Sequence, residues 1–135
     1  MIFGVGIDLL SINRVDKVYN NHKDLFIKKT LSILELQEFN LIKDKNKQIN
    51  YLAKKFSAKE SFVKCIGTGL GRGIKFTDIS ILHDNFGKPI IKVNDELQQF
   101  IEKKFNVNFD NINFIVTITD QDGLINTLVI MEKIC

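Results

Sequence analysis

A chain of 135 residues can bury one core but cannot hold two ordinary domains and a linker, so residues 1–135 are expected to form a single domain. Hydrophobic residues at 44% and charged residues at 26% exclude intrinsic disorder, and no run approaches the roughly 18 apolar residues of a membrane span. Nineteen Lys and Arg against sixteen Asp and Glu leave a net charge of +3, a mild lean toward acidic partners that does not by itself call for nucleic acid.

Ile2 to Leu10 reads as a buried strand, with Phe3, Val5, Ile7 and Leu9 on one face and Gly4, Gly6 and Asp8 on the other. Ser11 is placed to cap a short helix carrying Ile12, Val15 and Val18 or Tyr19, with Arg14 outward. Ser32-Ile33-Leu34-Glu35 is a capping box whose helix is expected to run through Phe39 and Ile42. Lys43 to Gln48 reads as a solvated loop, after which Leu52, Phe56, Val63 and Ile66 keep helical spacing. Ile79 to Leu82 and Ile90 to Val93 flank the turn-rich stretch Asp84 to Pro89, the pattern of a hairpin with Pro89 opening its second strand. Asn94 caps a helix with Leu97, Phe100, Ile101 and Phe105, and Phe114 to Thr119 pairs with Leu124 to Met131 across Gln121-Asp122-Gly123. The sum is an α+β fold with a mostly antiparallel sheet packed against helices.

Chemistry concentrates at two stations. Asp8 leaves a strand face stripped to glycine, and Phe56-Ser57-Ala58-Lys59-Glu60-Ser61-Phe62-Val63-Lys64 runs into Gly67-Thr68-Gly69. Glu60 and Lys64, four apart on a helix, share a face; alone they are as easily a surface ion pair worth about 0.3–0.5 kcal/mol. Ser57 and Ser61 are small residues on or near that face, and the glycines at Gly67 and Gly69 let backbone amides approach phosphate oxygens, although Gly67 is equally a helix terminator. The loop follows a helix instead of opening one, which excludes the dinucleotide fingerprint and the P-loop. Magnesium takes one or two protein carboxylates and leaves phosphates and water to complete its shell. Asp8 and Glu60 supply that number, with Lys64 and a nearby Lys59 or Lys55 as fixed cations for a phosphoryl group. His22 and His83 sit in polar positions without a triad, and the basic-aromatic signature of an RNA-binding sheet is missing. The two cysteines, Cys65 and Cys135, form no disulfide or zinc framework, and no basic-then-apolar leader precedes the first strand; the expectation is a cytoplasmic protein.

On these motifs the chain resembles the small bacterial 4′-phosphopantetheinyl transferases of the holo-acyl-carrier-protein synthase family. The matching stations are Gly6-Ile7-Asp8-Leu9, Phe56 to Lys64 with Gly67-Thr68-Gly69, Asp84 to Pro89 ending in Gly-Lys-Pro, and Val116-Thr117-Ile118-Thr119. The resemblance implies transfer of the 4′-phosphopantetheine arm of coenzyme A to a serine of apo acyl carrier protein, releasing 3′,5′-ADP, in support of fatty acid biosynthesis. It implies Mg²⁺ on Asp8 and Glu60, with a metal-side water or Glu60 taking the serine proton and Lys64 steadying the departing phosphate. It also implies Lys55, Lys64, Gly67, Gly69 and Pro89 around coenzyme A, a carrier-docking patch of Arg14, Phe26 and Lys29, and a homotrimer with active sites between subunits. One departure is Asp120, where many relatives carry His; the alternative it leaves is an inactive coenzyme A or carrier-protein binding module.

Overall fold

The computed structural model describes residues 1–68 and 72–134. Strand β1 (Ile2–Ser11) leads into helix α1 (Ile12–Thr30), then α2 (Ile33–Phe39) and α3 (Lys45–Ile66). A hairpin of β2 (Ile79–His83) and β3 (Pro89–Val93), helix α4 (Asp95–Phe105), and the long strands β4 (Ile112–Gln121) and β5 (Leu124–Lys133) complete the order. Every strand pair is antiparallel: β1-β5-β4 form one sheet and β2-β3 a second.

Local chemistry sets the boundaries. Ser32 and Glu35 form the reciprocal capping box, Asn94 Oδ1 accepts from Leu97 N at 3.0 Å, and Pro89 opens β3, where its missing N–H is tolerated. Asp122 and Gly123, at φ +53 and +77, make the tight turn between β4 and β5. Three expectations shift. The first helix runs to Thr30 as two halves joined at a kink at His22. The second stops at Phe39, because a third begins at Lys45, capped by Asp44 through Lys47 N at 2.9 Å; most of the polar run read as a loop is thus the first turn of α3.

Helix α3 lies across the three-stranded sheet and is the centre of the protein. Its Leu52, Ala58, Phe62 and Ile66 are buried, and the large apolar ones each contribute roughly 1.5–3 kcal/mol of burial. The glycine face of β1 sits against this helix: a Cβ on Gly6 would lie 1.8 Å from the Ser61 carbonyl oxygen, and one on Gly4 2.1 Å from that of Cys65. The absence of side chains therefore lets strand and helix backbones touch. The opposite face corrects the reading of β1 as a buried strand. Val5, Ile7 and Leu9 are 55–63% exposed, because nothing among the described residues covers that side of the sheet.

Candidate active site

The close approach of β1 to α3 carries Asp8 to the helix. Ser57 Oγ donates to Asp8 Oδ2 at 2.8 Å, and Lys64 Nζ reaches Asp8 Oδ1 at 3.4 Å and the Ile7 carbonyl at 3.0 Å. Lys64 thus pairs across elements with Asp8, and not along its own helix with Glu60. Glu60 is half-buried; burial first, and the Asp8 charge second, raise its carboxyl above the ordinary value, with Lys64 opposing. Two neighbouring carboxylates and one half-exposed lysine therefore share one seam, with excess negative charge that a cation would relieve.

Farther back along α3 a cavity of about 560 Å³ opens between the helix and the β2–β3 hairpin. Lys47, Tyr51, Lys54, Lys55, His83 and Pro89 are on its walls. The structure thus brings Lys55 and Pro89 together on one cavity. Lys55 is almost fully buried, with its Nζ hydrogen-bonded to the Ile81 carbonyl and 4.7 Å from the centre of the Tyr51 ring. Burial lowers its pKa, Glu35 and Glu38 acting against that, and burial then Lys55 lower that of His83. Lys54 lies one turn before Ser57, so about 9 Å of helix axis separates the cavity rim from Glu60.

Lys59 does not belong to this site, contrary to its reading as a nearby fixed cation. Its side chain leaves the far face of α3, fully buried, and pairs with Glu35 while donating to the Thr30 and Phe76 carbonyls at 2.6 and 2.9 Å. Glu35 in turn accepts from Ile81 N at 2.8 Å. With Lys55 on the Ile81 carbonyl, side chains take the hydrogen bonds that a third strand would make to β2, and hold the hairpin against the helices.

Gly67 ends α3 at φ +82, its N–H directed to the Val63 and Lys64 carbonyls, so its terminating role is real. Gly69 lies outside the described residues. Arg14 and Phe26 line a small pocket of about 90 Å³ with Leu10, two residues beyond Asp8. Phe26 and Lys29 line an adjacent groove of about 700 Å³ whose floor includes Phe56 and Phe76 and whose rim carries Lys28 and Lys75. The rings of Phe26 and Phe56, shared by both, are 5.6 Å apart. Asp120 is 3.4 Å from Lys54, both well exposed, and so sits at the cavity rim. The sequence reading missed Lys54, Tyr51 and Thr127; only their spacing along one stripe of α3, for the first two, was available as a signal.

A family model for the 4′-phosphopantetheinyl transferase superfamily matches residues 4–119. The chain belongs to that superfamily. It is 40% identical over 94 residues to the holo-[acyl-carrier-protein] synthase of Staphylococcus haemolyticus strain JCSC1435, covering 70% of this chain and 79% of that one. Among solved structures, the family's holo-[acyl-carrier-protein] synthase from Neisseria meningitidis superposes with a TM-score of 0.86 at 30% identity, over 98% of this chain and all of that one. The synthase of Bacillus anthracis str. Ames, in complex with CoA (3′,5′-ADP), gives 0.78 at 26% identity over 98% of each chain.

Proposed function

We infer that the protein is a holo-acyl-carrier-protein synthase. It moves 4′-phosphopantetheine from coenzyme A to a serine of apo acyl carrier protein and releases 3′,5′-ADP, in support of fatty acid synthesis. The observation that carries this reading is the convergence of Asp8, Glu60 and Lys64 at one seam, a helix segment away from a lysine-walled cavity, in a chain of this superfamily.

Asp8 and Glu60 would hold Mg²⁺. Two half-buried carboxylates fit an ion that keeps its other positions for water and phosphate, and no cluster of three or more such ligands occurs among the described residues. When bound, the metal supplies charge neutralisation on the pyrophosphate. Lys64, half-exposed and anchored on the Ile7 carbonyl, steadies the departing phosphate. Glu60, with its basicity raised by burial and Asp8, or a water beside it, takes the serine proton. Lys55, Lys54 and Pro89 hold the nucleotide end, and Gly67 borders the phosphates. The carrier docks on Arg14, Phe26 and Lys29, whose groove joins an apolar floor to a cationic rim suited to an acidic partner.

The whole chain, residues 1–135, acts as one domain in the cytoplasm; no described helix is long and apolar enough to cross a membrane. A homotrimer is supported by the bare sheet face of Val5, Ile7 and Leu9, which Ile115, in register across Ile130 from Val5, extends to β4. Intact-mass spectrometry of apo carrier protein incubated with the enzyme, coenzyme A and magnesium tests the reaction. A chelator-sensitive gain of one phosphopantetheine is expected. No gain with several carriers would move the reading to an inactive binder and make Asp120→His the first repair.

A further inference from the structure

Asp8 rests on a sealed group of three hydroxyls. Thr127 lies directly across from Asp8 in the β1–β5 ladder, and Ser57 and Ser61, one turn apart on α3, face it. All three are fully buried. Ser57 Oγ donates to Asp8 Oδ2 at 2.8 Å and lies 2.9 Å from Thr127 Oγ1, which lies 2.6 Å from Ser61 Oγ. Ser61 Oγ is also 3.1 Å from the Thr127 carbonyl, and Thr127 Oγ1 is 2.9 Å from that of Ser57.

Each hydroxyl has one proton to give. That of Ser57 is committed to Asp8, so the one assignment that makes both hydroxyl–hydroxyl contacts hydrogen bonds runs from Ser61 to Thr127 to Ser57 to Asp8. In that assignment every donor points toward the carboxylate and each bond polarises the next, while the Thr127 and Ser57 carbonyls are the competing acceptors for the Ser61 and Thr127 hydroxyls. Oδ2 is thereby occupied, and Oδ1 is the oxygen left toward Lys64.

We propose that Ser57, backed by Thr127 and Ser61, is a positioning residue that fixes the Asp8 carboxylate and presents Oδ1 for a divalent cation. The proposal rests on the reading of Asp8 and Glu60 as the metal holders. Outer partners of this kind typically contribute about 10–100-fold in metal affinity.

The test is Mn²⁺ titration, followed by electron paramagnetic resonance, of protein saturated with coenzyme A, for the native chain and for Ser57→Ala, Thr127→Val and Asp8→Asn. Coenzyme A affinity in EDTA is measured alongside. Ser57→Ala is expected to weaken Mn²⁺ by about 10-fold or more, and Thr127→Val, which keeps its shape, by less in the same direction, with coenzyme A affinity in EDTA unchanged. Native Mn²⁺ affinity in Ser57→Ala, beside a clear loss in Asp8→Asn, overturns the positioning role alone. So does an equal loss of coenzyme A affinity in EDTA, which marks general damage. Absence of saturable Mn²⁺ binding by the native chain overturns the metal reading beneath it.

Discussion

Two lysine–carboxylate pairs hang from α3 within six residues, and they behave as opposites. Lys59 and Glu35 are sealed in the core, with every polar atom committed to a backbone or side-chain partner. Lys64 and Asp8 meet more loosely at 3.4 Å at the surface, beside a second carboxylate, Glu60, that no lysine pairs. Each is a lysine with a carboxylate; the face of the helix decides. On the far face all charges are cancelled and the pair locks the hairpin in place. On the near face negative charge is left over, and that surplus can attract a cation.

The contrast can be broken most severely on the near face. Asp8→Ala or Glu60→Gln should cut transfer by about 10²–10⁴-fold in a carrier-modification assay while the circular dichroism spectrum stays native. Glu60→Gln should also raise Tm at neutral pH. A carboxyl with a raised folded pKa holds its proton more readily in the folded than in the unfolded chain, so its ionisation works against the fold as pH rises through the raised value. The gain should vanish below about pH 4, where the native carboxyl is protonated in both states. A Tm for Glu60→Gln below the native one at pH 7 would refute that account.

On the far face, Lys59→Met should be destabilising by about 3–5 kcal/mol in urea unfolding, because it strands the Glu35 carboxylate. A Glu35→Leu, Lys59→Met double variant should recover part of that loss. A single variant no weaker than the double would show that the pair locks nothing. Between the two faces, Gly6→Ala tests the contact that brings β1 to α3: a Cβ 1.8 Å from a backbone oxygen should be destabilising by about 1–3 kcal/mol and reduce transfer more than its stability loss explains, since Asp8 moves with the strand. The smallest effect belongs to the exposed Lys54–Asp120 pair. Asp120→Ala should change unfolding stability by no more than about 1 kcal/mol.

Much of this was legible in the chain. The capping box at Ser32, the N-cap at Asn94 and the turns at Pro89 and Asp122-Gly123 are local chemistry, and they start and turn the elements where the sequence placed them. The motifs at Asp8 and Phe56–Lys64 named the residues that converge. The fate of Lys59 was hidden because a helix position records spacing and not which neighbouring element will cover it. Thr127 was hidden too: a threonine in a strand-rich run is ordinary until the register sets it opposite Asp8.

The sequence by itself determined the α+β class and the two hairpins, β2–β3 and β4–β5, through periodicity and turn chemistry, and its motifs carried the family resemblance and set Asp8 beside Glu60 and Lys64 as one site. Only the tertiary structure decided that Lys64 turns to Asp8 and away from Glu60, that Lys59 is locked on Glu35, and that three hydroxyls back the Asp8 carboxylate. The Asp8 outcomes depend on how closely a glycine-faced strand lets a helix approach, and the Lys59 outcome on which elements cover the far face of that helix, both set jointly by residues far apart in the chain.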